Sequence, residues 1–218
     1  MPKKIAVVLS GCGNKDGTEI TEAVSLMIAL SQQGATVQYF APNQEFPAQN
    51  FLTDLTLPAK RNALVESARI TRSQIKDLAT LDPQDFDGIA LPGGFGAAMN
   101  LSTWAQKGAA CTVNADLEKA LHAFYRTSKP IAAICIAPAL IARVLGSKKI
   151  TLTVGADSEA ALEIKKTGAI HEACPVDDFI TDRLHKIIST PAYMYDAATP
   201  AQVFRGVSGL AKELVEMA

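Results

Sequence analysis

The segment IAAICIAPALIARVLG holds Cys135 between two small residues, Ala133 and Ala137, directly behind the apolar run Ile131 to Ile134. A nucleophile on a sharp strand-to-helix turn needs small neighbours two positions away on each side, because the backbones crowd there; GxSxG meets the same demand in hydrolases. The helix that follows would aim its N-terminal N–H groups at the sulfur and favour thiolate over thiol. Cys135 is therefore a candidate nucleophile. It is equally compatible with a buried core cysteine, since free cysteine is among the most buried residue types.

A second segment, LPGGFGAAMN, follows a predicted strand, and its paired glycines let backbone N–H groups turn into a pocket unobstructed. Together with the turn at Cys135, this makes the N–H groups of Gly94 and Ile136 candidates for an oxyanion hole. An isolated PGG would be an ordinary turn. A cysteine attacking a carbonyl also needs a proton acceptor, and Glu19 and Glu22 lie at the start of the first predicted helix. Acidic residues are common there for dipole and capping reasons alone. Of the three histidines, His122 and His185 lie in polar surroundings, and His171, just ahead of Cys174 and Pro175, is the one that could reach the site. The stretch GCGNKDG is not a dinucleotide fingerprint, because its third glycine falls one position late for GxGxxG.

The elements that would position these groups alternate. Ile5 to Ser10 reads as a strand ending in the loop SGCGNKDGT, after which Thr18 or Thr21 can cap a helix that stops near Gly34. Ala35 to Ala41 is a second strand, and Phe46 to about Lys60 an irregular excursion. Asn62 to Thr71 has helical spacing, Asp82 and Pro83 open a short helix, and Gly88 to Leu91 is the next buried strand. A helix over about Thr112 to Ser128 precedes the Cys135 strand and helix. Then follow a strand at Thr151 to Val154, a helix at Asp157 to Thr167, a strand at Lys186 to Ser189 and a terminal helix from about Pro200. This alternation predicts an α/β fold with a mostly parallel sheet covered on both faces, and ligands in such folds sit at the carboxyl ends of the strands. Both SGCG and Cys135 fall there. The first helix, ITEAVSLMIAL, is apolar on nearly every side, which implies burial by a homodimer contact or by the Phe46 to Lys60 excursion.

Composition narrows the partners. The 218 residues fit one domain, 1–218; 48% are hydrophobic and 20% charged, and a net charge of -1 gives no electrostatic reason to bind nucleic acid or an anionic membrane. Small molecules or protein surfaces are the expected partners. The N-terminal apolar stretch is too short for a signal-peptide core, so a cytoplasmic location is expected. Cys12, Cys111, Cys135 and Cys174 form no CxxC or zinc-like spacing, so reduced thiols and no metal are expected.

The ordered segments SGCGxxDGTEIxEAV, ITR, LPGGFGAAxNLS, CTV, CIAPA, CPVDD and TPAYM resemble the ElbB group, in the ThiJ/PfpI branch of the class I glutamine amidotransferase-like superfamily. The resemblance covers nearly the whole chain. It implies a flavodoxin-like three-layer sandwich, usually oligomeric, with Cys135 as nucleophile and Gly94 and Ile136 as oxyanion donors. It places the acidic partner at Glu22 rather than Glu19. From the residues themselves His171 stays in reserve as a base, and a redox pairing of Cys12 with Cys135 is left open. Two departures stand out. Where glutamine-hydrolysing relatives carry His-x-Glu, this chain reads Thr190-Pro191-Ala192, and LTVGADS lacks the histidine that related enzymes place after the elbow helix. The resemblance thus implies a cofactor-independent glyoxalase acting on a small aldehyde in preference to a glutaminase. The alternative is a redox or carbonyl-stress sensor using a reactive Cys135.

Overall fold

The computed structural model describes all 218 residues. Its elements, in chain order, begin with β1 (Lys4–Val8), α1 (Ile20–Gln32), β2 (Thr36–Ala41), β3 (Glu45–Gln49), β4 (Thr56–Asn62), α2 (Ala63–Ile70) and β5 (Ile75–Asp77). The middle of the chain supplies β6 (Gly88–Leu91), the short helices α3 (Phe95–Met99) and α4 (Trp104–Lys107), α5 (Ala115–Arg126), β7 (Ile131–Ile134) and α6 (Pro138–Leu145). Last come β8 (Thr151–Leu152), α7 (Glu159–Lys166), β9 (Ile170–His171), β10 (Ile180–Asp182), β11 (Ile187–Thr190) and α8 (Pro200–Met217).

Seven strands form one sheet in the order β10-β11-β7-β6-β1-β2-β5. Every pairing is parallel except β10 with β11. The central strands are apolar throughout, as a sheet covered on both faces requires. Along β1, Ile5 and Val7 pack with Leu26 and Leu30 of α1 and Leu210 and Leu214 of α8. The intervening Ala6 and Val8 pack with Leu117, Leu121 and Phe124 of α5 and Leu140 and Ile141 of α6. Helix, sheet and helix make the three-layer α/β sandwich expected of the class I glutamine amidotransferase-like fold.

Local chemistry sets the ends of these elements. Pro200 occupies the first turn of α8, where its missing N–H costs nothing, and Thr199 with Gln202 forms a reciprocal capping box. Helix α1 is capped by neither Thr18 nor Thr21. The Thr18 hydroxyl is spent on the loop, accepting from Ser10 N at 2.7 Å, and Glu19 caps instead by accepting from Glu22 N at 2.6 Å. The Phe46 to Lys60 region is not irregular: β3 and β4 pair as an antiparallel hairpin. The hairpin packs on the glycine-rich loop, where Gln49 N donates to Asp16 Oδ2 at 2.8 Å. Helix α1 keeps Ile20, Val24 and Ile28 exposed, so the excursion does not cover that whole face.

Helix α8 lies so close to the loop after Cys174 that a Cβ on Gly206 would come within 2.6 Å of Thr190 Oγ1 and 3.0 Å of the Val176 carbonyl oxygen. Gly206→Ala must therefore push α8 away from β11. Chemical denaturation should show a loss of about 1–3 kcal/mol, the usual range for overpacking. An unchanged midpoint would contradict this packing.

Candidate functional site

Chain geometry at the end of β7 makes the site. Cys135 adopts φ of +62°, a left-handed conformation that costs a non-glycine residue free energy and persists only where its surroundings enforce it. The surroundings do so here. Ala133 and Ala137 are fully buried on either side, and Cys135 N donates to the Thr190 carbonyl of β11 at 2.9 Å. Pro138 then opens α6. This is the sharp strand-to-helix turn expected from the small-x-Cys-x-small spacing.

The PGG segment lies against that turn. A Cβ on Gly93 would fall 2.5 Å from Cys135 Cβ and 2.9 Å from Glu22 Oε2, so only glycine lets the two side chains approach from opposite sides. Gly94, with φ of +89°, has the Gly17 carbonyl oxygen 2.4 Å from where its Cβ would stand. The backbone N–H groups of Gly94 and Ile136 lie near enough to the Cys135 sulfur to favour its ionised form.

Glu22 is fully buried on the first turn of α1. Its Oε2 accepts from Gly93 N at 2.9 Å, its Oε1 accepts from Tyr193 N at 3.4 Å, and its carboxyl faces Cys135 across Gly93, close enough for each group to shift the other's ionisation. Burial, reinforced by the negative charge of Glu19, pushes the Glu22 carboxyl up to about 8. Burial raises the Cys135 thiol as well, and the neighbouring Glu22 carboxyl adds to the rise against the opposing pull of the Gly94 and Ile136 N–H groups. The expected preformed thiolate is thus corrected. The α6 N-terminus is present, yet desolvation and a facing carboxylate outweigh it.

The sulfur opens on a cavity of about 1010 Å³ shared with Glu19, Gly94, Ile136, Trp104 and Tyr193. Glu19 thus lines the cavity while Glu22 meets the sulfur from behind. The other sequence candidates lie elsewhere. His171 sits in β9 with its side chain buried, its Nδ1 3.8 Å from Asp157 Oδ1 and neither ring nitrogen hydrogen-bonded. Burial, with the charge of Lys165, pulls its pKa down against the opposing Asp157 and so favours the neutral ring. Cys12 is half-buried beside Glu66, Asp16, Arg69 and Arg61, apart from the cavity lining, and all four cysteines are free thiols. What sequence reasoning missed is backbone: the Tyr193 N–H and the Thr190 carbonyl. They come from the Thr190-Pro191-Ala192 stretch already marked as a departure and the residue that follows it, where Ala192 takes φ of +44°.

A three-layer sandwich with a strained cysteine at a strand end defines the amidotransferase-like class. Within it the chain belongs to the DJ-1/PfpI family, whose pattern matches residues 3–181. It is 40% identical to human glutamine amidotransferase-like class 1 domain-containing protein 3, mitochondrial, over 98% of this chain and 83% of that one. The mitochondrial ES1 protein of Danio rerio is 35% identical over 98% of this chain and 85% of its own. The crystal structure of an isoprenoid biosynthesis protein with amidotransferase-like domain from Ehrlichia chaffeensis matches with a TM-score of 0.92 at 33% identity, covering 99% of both chains. The expected cytoplasmic location does not stand, because these curated relatives from human and Danio rerio, and a third from Rattus norvegicus, are named as mitochondrial proteins. No helix is long and apolar enough to cross a membrane.

A carboxyl held near 8 when folded and near 4.5 when unfolded binds its proton more tightly in the native state. Its contribution is therefore undiminished below about pH 4.5 and is lost as pH rises through 8, about 5 kcal/mol in all. Glu22→Gln removes this loss. Between pH 5 and pH 9 the melting temperature of the wild type should fall relative to that of Glu22→Gln by about 10 °C, as thermal unfolding would show. A constant difference would mean that Glu22 is ionised at neutral pH.

Proposed function

We propose that the protein is a cofactor-independent glyoxalase in which Cys135 adds to the aldehyde carbon of glyoxal or methylglyoxal. The observation that carries this reading is that the buried Glu22 carboxyl and the Cys135 side chain close on Gly93 from opposite sides, with Gly94 and Ile136 beside the sulfur on the cavity. As the S–C bond forms, the thiol proton passes to ionised Glu22. Glu22 delivers that proton to the carbonyl oxygen, flanked by Gly94 and Ile136 N–H, which becomes the hemithioacetal hydroxyl and leaves Glu22 ionised again. Glu22 next takes the hydrogen of that carbon and returns it to the adjacent carbon through an enediol, leaving a thioester. Water cleaves the thioester to glycolate or lactate and frees the thiol. Every proton lost is regained or released with the acid, so no redox cofactor enters.

A carboxyl raised to about 8 suits this shuttle, because general acid–base groups work best with a pKa near the operating pH. Glutamine hydrolysis fits less well, since no histidine lines the cavity. The sensor alternative calls for an exposed, low-pKa thiol, whereas Cys135 is only 7% exposed and raised.

The glyoxalase reading predicts that kcat/KM for methylglyoxal rises about tenfold per pH unit below pH 8 and levels above it, since the singly deprotonated pair is the active form. Cys135→Ala should be inactive. Glu22→Gln should lose about 10²–10⁴-fold and the limb near pH 8 with it. Equal rates for Cys135→Ala and the wild type would end the proposal.

A further inference from the structure

The cavity over Cys135 is much larger than a two-carbon dialdehyde, and its volume is that of a site for a substantially bigger ligand. Its lining is also unevenly charged. Glu19, Glu159, Glu163 and Asp196 face it, against Lys107 as the one cation. Glu163 is partly neutralised, with Oε2 accepting from Ala109 N at 2.8 Å and Oε1 paired with Lys166. Glu19, Glu159 and Asp196 still leave the cavity negative. Trp104, Tyr193 and Phe95 add aromatic rings to the lining of the same cavity, and ring faces attract cations.

Resting on the reading that Cys135 adds to aldehydes, the geometry points to an aldehyde that carries a cationic group, an ammonium or guanidinium, as the substrate class. The aldehyde carbon would meet the sulfur beneath Gly94, and the cation would lie outward between Glu159, Asp196 and the rings. Addition needs no further reactant: the S–H bond breaks, the S–C bond forms, and the proton moves to the former carbonyl oxygen. Carboxylated or phosphorylated aldehydes would meet like charge on entry.

Two isosteric probes separate charge from shape. Betaine aldehyde carries a trimethylammonium group where 3,3-dimethylbutanal carries a neutral tert-butyl group, and both can form a reversible hemithioacetal. Their half-protecting concentrations against iodoacetamide alkylation of Cys135 would be read by peptide mass spectrometry on the full chain at pH 8. The same measurement on Glu159→Gln/Asp196→Asn cancels the different intrinsic reactivities of the two aldehydes. Both substituted residues are exposed, so the fold should be unaffected. The preference for betaine aldehyde should be about tenfold greater in the wild type than in the double variant, equivalent to about 1.4 kcal/mol. An unchanged ratio, or no protection by either aldehyde, overturns the proposal. Methylglyoxal turnover with an unchanged ratio would remove the cation preference and keep the glyoxalase. A shifted ratio without turnover would do the reverse.

Discussion

The contact between the Glu22 carboxyl and the Cys135 thiol is the constraint around which the rest of this molecule is arranged. Two acids in a water-poor space cannot both ionise, so at least one proton must stay between them. That requirement reaches far along the chain. Gly93 has no side chain because one would strike both partners, the Thr190 to Tyr193 turn lends a backbone donor, and Glu19 turns α1 so that its first coil carries Glu22 inward. Three parts of the sequence, near residues 20, 93 and 192, thus converge on the end of β7.

Charge balance also explains how a buried cysteine at a helix N-terminus can remain a thiol. The α6 N-terminus and the two N–H groups pull towards thiolate, and burial with a facing carboxylate pulls the other way. The second pull wins because loss of water around the buried sulfur is the largest effect, and Glu22 adds to it when ionised.

Much of this arrangement was legible in the residues. The small neighbours of Cys135 and the apolar run before it specify the turn, and alternating strands and helices specify the layers. The choice of Glu22 over Glu19 came from family resemblance, since both occupy a first helical turn where acids are common. The hairpin of β3 and β4 was hidden because Pro47 and Pro58 interrupt its strands and its outward face is charged or polar, a pattern tolerated away from sheet interiors. The cap at Glu19 was hidden because Thr18, the better capping type, is held by Ser10. The protonation of the pair was not readable from spacing at all, because it depends on burial contributed by distant segments.

The most direct test of the shared proton is infrared spectroscopy of the wild type against Glu22→Gln across pH. The account predicts a protonated carboxyl carbonyl band, absent from the variant, that persists at pH 7 and fades as pH passes about 8. A Glu22 carboxylate signature already complete at pH 6 would contradict it.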